Sequence, residues 1–216
     1  MKVIDLTKTI FDGMSSHFKV TITDFLKHEE TAPRLAPPAK GYGTKVLLMC
    51  DHTATHVDAP SHYWPERKNI DEMPIETFCG EAVVLDFSND LGSAGELSKS
   101  RFEEFLCENC LEVKKDDIVI FKFQKESQDI YSGLSEELAE HLAEIHIKMV
   151  GTDRGTIDCG FHKHKPGHVL FLKQDIPIIE SLDNLDKISN KRVIFYGLPL
   201  KLKTATGSPI RAIAVL

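Results

Sequence analysis

His52-Thr-Ala-Thr-His56-Val-Asp58-Ala-Pro-Ser-His62 places three histidines and an aspartate within eleven residues. Imidazole nitrogen and carboxylate oxygen are the donors that borderline and harder divalent metals prefer. His56 and Asp58 are two apart, so an extended chain presents both on one face. His52 lies four residues before His56, and full extension would separate their Cα atoms by about 13 Å, at the limit of what one ion can bridge. The chain must therefore curl near Thr53–Thr55, and Ala54 is small enough to allow it. Pro60 stops the segment from continuing as a central strand or a long helix. His62 is carried round to a position near the metal.

Outward from this segment, short β-branched and apolar runs predict strands at Lys2–Leu6, Lys45–Met49, Ala82–Phe87, Ile118–Phe123, Lys148–Val150, Val193–Tyr196 and Ile210–Val215. Ser100-Arg-Phe-Glu103 has the form of a capping box, followed by Phe102, Phe105 and Leu106 on one helical face. Ser135 is placed to cap a second helix carrying Leu138, Leu142 and Ile145, and Pro166 suits the first turn of a third that includes His168–Lys173. Strands interleaved with helices give an α/β chain. The Pro/Gly-rich stretch Ala32–Gly43 excludes regular structure and reads either as a flap over the site or as a plain surface loop. Nothing in the composition marks a seam, so one domain spanning 1–216 is expected.

The motif resembles the signature of the cyclase-like metal-dependent hydrolases, H-x-G-T-H-x-D-A-P-x-H, a family that includes kynurenine formamidase and isatin hydrolase. Further segments match it in order: Ile4-Asp5-Leu6-Thr7 with Gly13-Met14, Gly151-Thr152-Asp153, His168 with Ile179-Glu180-Ser181-Leu182, and Gly207-Ser-Pro-Ile-Arg211-Ala. The resemblance implies a swivelling β/β/α domain, a mixed sheet with flanking helices, usually as a homodimer. It implies zinc or manganese, one or two ions, with His52, His56 and Asp58 as ligands of the first. Asp58, His168 and Glu180 would hold a second, and His62 matches the catalytic acid/base. A divalent ion lowers the pKa of bound water from about 16 to about 7, so the expected reaction is attack of activated water on a small amide, formamide or lactam. A cyclase or dehydratase on the same site, and a metal-binding protein without catalysis, are the alternatives.

Two departures stand out. Ala54 occupies the position where the family has glycine, which costs about 1 kcal/mol or more if that residue has positive φ. Ser15-Ser16-His17-Phe18 replaces the proline and aromatic residues after Met14, and the lone tryptophan is Trp64, so the expected substrate is not N-formylkynurenine. Specificity is expected from Phe11–Phe18, from Ala32–Gly43 and near Arg211, which either clamps a substrate carboxylate or serves a structural ion pair.

Composition narrows the remaining classes. A formal net charge of -7 excludes the electrostatics of a nucleic-acid binder. The basic runs Lys163–Lys165 and Lys201–Lys203 read as solvated surface. No membrane span is present, and the start MKVIDLTKTI lacks the build of a signal peptide, so a cytoplasmic protein acting on a small-molecule substrate is expected. Five cysteines in irregular spacing make a poor disulfide framework, and Cys107-Glu-Asn-Cys110 falls late in a predicted helix. His162 and His164, between lysines, match no family ligand. His17 is a candidate for the pocket entrance, while His28, His141 and His146 read as surface or helix-face residues.

Overall fold

A computed structural model describes residues 1–15, 18–90, 95–123 and 132–216; His17 lies outside the described residues. The strands are β1 Val3–Asp5, β2 Thr21–Leu26, β3 Thr44–Leu48, β4 His56–Asp58, β5 Cys79–Asp86, β6 Glu96–Leu97 and β7 Ile118–Lys122. They continue as β8 Gly133–Leu134, β9 Met149–Thr152, β10 Ile178–Glu180, β11 Lys191–Tyr196, β12 Gly207–Pro209 and β13 Ile213–Val215. The helices are α1 His28–Thr31, α2 Lys99–Glu108, α3 Glu136–Ile145 and α4 Pro166–Lys173.

Nine strands form one mixed sheet in the order β1-β13-β11-β5-β7-β9-β10-β4-β12. The centre, β5-β7-β9-β10, is parallel, and antiparallel strands extend it on both sides. The period-two alternation of each central strand feeds two separate cores. Ala82, Val84, Ile118 and Ile120 belong to one face, and Val83, Leu85, Val119 and Phe121 to the other. The second face is covered by helices: Phe102 and Phe105 from α2, Leu138 and Leu142 from α3, and Phe171 and Leu172 from α4 pack there. The first face is closed by loops and short 3-10 turns, which contribute Ile70, Phe78 and Leu185. This is the expected α/β arrangement of a mixed sheet with flanking helices.

Several local expectations shift. Helix α2 is capped by Ser98, whose side chain accepts from the Arg101 N–H at 3.3 Å, and not by Ser100. Leu97 just before it is held in β6 by pairing with Leu134, which fixes where the helix can start. Ser135 caps α3 as expected, accepting from Leu138 N at 3.2 Å. The run Ile210–Val215 is not one strand: Ile210 bridges Pro199, and β13 begins only at Ile213. Among the described residues the Lys45–Met49 run enters no core and β3 pairs only with β2, in a hairpin whose Phe25, Val46, Leu47 and Leu48 are exposed. Ala32–Gly43 joins these two strands, with a short 3-10 turn at Ala32–Arg34 and Thr31 Oγ1 accepting from Tyr42 N at 2.7 Å. Among the described residues it contributes nothing to the lining of the cavity described next, in keeping with the plain surface loop.

Candidate metal centre

The curl expected near Ala54 is present. Ala54 has φ 57, a left-handed conformation that costs an L-residue about 1–2 kcal/mol. The turn aims the Ala54 carbonyl back at His56, where it accepts from Nδ1 at 2.9 Å and leaves Nε2 to face inward. Thr55 Oγ1 ties the turn to the neighbouring chain, donating to Ser181 O at 2.6 Å and accepting from Lys8 N at 2.9 Å.

Sheet register then gathers donors from distant segments. Antiparallel pairing of β10 on β4 sets Glu180 opposite His56 and Ile178 opposite Asp58, while β12 pairs from the other side with Gly207 opposite Asp58. Helix α4 brings His168 to the same point. The result is two overlapping donor groups, His52–His56–Asp58 and Asp58–His168–Glu180, each compact enough to hold a metal ion. Within the first, His52 Nδ1 lies 2.7 Å and His56 Nε2 3.3 Å from Asp58 Oδ1. In the second, His168 Nε2 is 3.6 Å from Asp58 Oδ2 and 3.3 Å from Glu180 Oε1. Glu180 Oε2 is 3.7 Å from His56 Nε2, so both carboxylates span the two groups. Imidazoles and carboxylates converging in a buried pocket fit a divalent cation, whose charge would offset two carboxylates taken out of water.

Each histidine is braced from behind. The outer nitrogen of His52, Nε2, meets Thr206 Oγ1 at 3.0 Å, and that hydroxyl meets Asp51 Oδ2 at 3.1 Å. His168 Nδ1 meets Asp158 Oδ2 at 2.5 Å, and Asp158 Oδ1 accepts from Gly167 N at 2.6 Å. A carboxylate can only accept, so Nδ1 carries the proton and Nε2 is turned toward the donor cluster. Gly207 explains part of the C-terminal signature: a Cβ there would stand 2.6 Å from His52 Cε1 and 3.0 Å from Nδ1. None of Asp51, Asp158, Thr206 or Gly207 was singled out individually from the sequence as part of the site.

Charge follows this geometry. Burial opposes ionisation of Asp58, but hydrogen bonds from His168, His52 and His56 hold its carboxyl well below the usual range. Burial pushes Glu180 up, and the nearby Asp58 charge adds to the shift. Burial disfavours charge on His56, yet Asp58 and Glu180 outweigh it and bring the imidazole to about 9. His168 is likewise driven well above 6.5, against its burial, by Asp158, Asp58 and Glu180. His62 behaves oppositely: desolvation, with Asp58 opposing and His52 reinforcing, lowers it to about 4. Its ring lies over His52 at a centroid distance of 4.1 Å and belongs to neither donor group.

These side chains line a cavity of 340 Å3, completed by Cys50, Tyr63, Gly155, Thr156 and Lys165. All six residues expected at the site, His52, His56, Asp58, His62, His168 and Glu180, are therefore brought together. Arg211 is not among them; it is exposed and forms a two-pronged ion pair with Asp5 at 3.0 and 2.6 Å. His162 and His164 turn instead to Glu96 and Glu136. None of the five cysteines, all of them among the described residues, is in a disulfide. Lys165, grouped by sequence with a solvated basic run, lines the cavity.

A curled mixed sheet with flanking helices and paired His/Asp/Glu donor groups defines the class of cyclase-like metal-dependent hydrolases. The chain belongs to the Cyclase family ("Putative cyclase"), whose model matches residues 4–159. It is 31% identical over 172 residues to kynurenine formamidase of Bacillus thuringiensis (strain Al Hakam), covering 77% of each chain. Cyclase-like protein 2 of Oryza sativa subsp. japonica is 31% identical over 175 residues, covering 78% of this chain and 64% of that protein. Among solved structures, isatin hydrolase A from Labrenzia aggregata, bound to benzyl benzoate, superposes with a TM-score of 0.82. That comparison has 24% identity and covers 99% of this chain and 93% of the other, which establishes the shared fold.

Proposed function

We propose that this protein is a divalent-metal-dependent hydrolase of small amides, formamides or lactams. The observation that carries the reading is the convergence of five buried donor side chains on one small cavity, with His62 beside them and outside both donor groups. His52, His56 and Asp58 would hold the first ion, and Asp58, His168 and Glu180 a second; zinc suits this donor set best, with manganese next. When bound, the ion supplies Lewis acidity for the carbonyl and an activated water at neutral pH.

His62 is the acid/base. Its lowered pKa, about 4, leaves the imidazole neutral near pH 7 and able to take the proton of the attacking water. It returns that proton to the leaving nitrogen. The half-buried Trp64 donates its indole N–H to Val169 O at 3.1 Å and does not line the cavity, which supports a substrate other than N-formylkynurenine.

Residues 1–216 act as one domain, in keeping with the pairing of β1 and β13 at opposite ends of the chain. We assign a homodimer, supported by the β2–β3 hairpin: a two-stranded ribbon with apolar side chains in solvent is marginal alone and marks an association surface. Five cysteines outside any disulfide suit a reducing cytoplasm. Among the described residues no helix is long and apolar enough to cross a membrane.

The test is metal content per chain together with turnover of an amide and lactam panel in oxygen-18 water, for the wild type and His62→Ala. One or two ions per chain, solvent label in the product, and loss of turnover with metal retained in the variant are expected. Protein that takes up neither zinc nor manganese removes the reading, and unlabelled product assigns the site to cyclisation.

A further inference from the structure

Among the described residues, the wall of the cavity beyond the donors and His62 contains one lysine and no arginine: Lys165. It is half-buried and has no ion-pair partner among the described residues. A cation held partly out of water without a counterion adds nothing to the fold, because burial of charge is costly unless paired. The backbone there is strained as well. Lys165 sits at φ 50 and ψ 62, left-handed, directly before Pro166. A following proline disfavours helical conformations, and the left-handed well costs an L-residue about 1–2 kcal/mol. Tight local bonding holds it: Lys165 N donates to His162 O at 3.3 Å, and the next turn is pinned by Gly167 N to Asp158 Oδ1 at 2.6 Å. Strain of this kind persists only where the surrounding structure over-determines it, and here it holds the side chain at the cavity wall.

Charge in the cavity points the same way. Asp58 and Glu180 face the metal donors and would be balanced by a divalent ion, which leaves Lys165, among the described residues, as the uncompensated fixed charge on the wall. Arg211, the other candidate for an anion clamp, is already committed to Asp5.

We propose that Lys165 receives an anionic group of the substrate, so that the natural substrate is an acidic amide. This rests on the amide-hydrolase reading above. The cavity, 340 Å3, is at the small end of the range of about 300–1,000 Å3 for ligand pockets. The carboxylate therefore lies close to the scissile carbonyl, as in an amide and an acid carried by one ring.

The probes are 2-formamidobenzoate and its neutral counterpart N-phenylformamide. Their Kd values are measured by calorimetry on zinc-loaded protein carrying His62→Ala to halt turnover, alone and combined with Lys165→Met or Lys165→Arg. A charge-assisted hydrogen bond predicts that Lys165→Met lowers the preference for the acidic probe ten-fold or more, and that Lys165→Arg keeps most of it. A preference that moves less than three-fold in Lys165→Met overturns the assignment. Turnover is followed separately with unmutated enzyme. Failure to hydrolyse either probe or any amide counts against the hydrolase reading and leaves the binding comparison readable.

Discussion

Asp158→Asn isolates the role of one hydrogen bond. The fully buried Asp158 bonds Nδ1 of His168 with one oxygen and Gly167 N with the other. Asparagine is nearly isosteric and can keep the Gly167 bond through its carbonyl. Its amide N–H then faces Nδ1, which must accept, so the imidazole proton moves to Nε2. Nε2 is the atom aimed at Asp58 and Glu180, at 3.6 and 3.3 Å, and a protonated nitrogen cannot ligate. Loss of such an outer partner typically lowers metal affinity by about 10–100-fold, or about 1.4–2.7 kcal/mol. The assay is a chelator competition that resolves the ion held by His168 from the one held by His52 and His56. Nitrogen-15 NMR of the metal-free protein, recorded at a pH above the raised pKa of His168 so that the ring is neutral, reads the tautomer directly. Weakened binding at the His168 group, retained binding at the other, and a switch from Nδ1–H to Nε2–H are expected. Unchanged affinity with an unchanged tautomer would refute the reasoning.

Three further outcomes follow from the same geometry. Ala54→Gly relieves a left-handed alanine; about 1–2 kcal/mol of strain less about 0.4–1 kcal/mol of added unfolded-state entropy leaves a gain of about 0.5–1 kcal/mol. A melting temperature higher by about 1–4 °C checks it. Gly207→Ala drives a methyl against His52, so metal should be lost from the His52–His56–Asp58 group while far-ultraviolet circular dichroism is kept; full occupancy would contradict the packing. In metal-free protein the folded-state pKa of His56, about 9, exceeds its ordinary 6.5. The protonated form therefore stabilises the fold fully below pH 6.5, and this contribution is lost as pH rises through 9. Thermal melts of chelator-stripped protein between those values should show the decline, and a flat profile would count against it.

Much of the site was legible because its first part is local. His52, His56, Asp58 and His62 sit within eleven residues, and two-residue spacing with a forced curl is a property of chain geometry. His168 and Glu180 were reached only through resemblance to a family, since nothing in their immediate neighbours distinguishes them from buried core residues. Lys165 was misread with its basic neighbours, because exposure depends on what packs around a segment. The helix at Ser100 and the strand at Ile210 were displaced by tertiary pairing, of Leu97 with Leu134 and of Pro199 with Ile210.

The sequence alone determined the α/β pattern, the helices capped or opened at Ser135 and Pro166, and the close spacing of His52, His56 and Asp58 as candidate donors, all of which depend on residues within a few positions of one another. Tertiary structure decided what meets across the sheet. Register between β10, β4 and β12 placed Glu180 opposite His56 and Gly207 opposite Asp58, and the end of α4 set His168 on Asp158. Those contacts join residues more than a hundred positions apart or on different elements. Sheet order and packing fix them, and no local spacing encodes either.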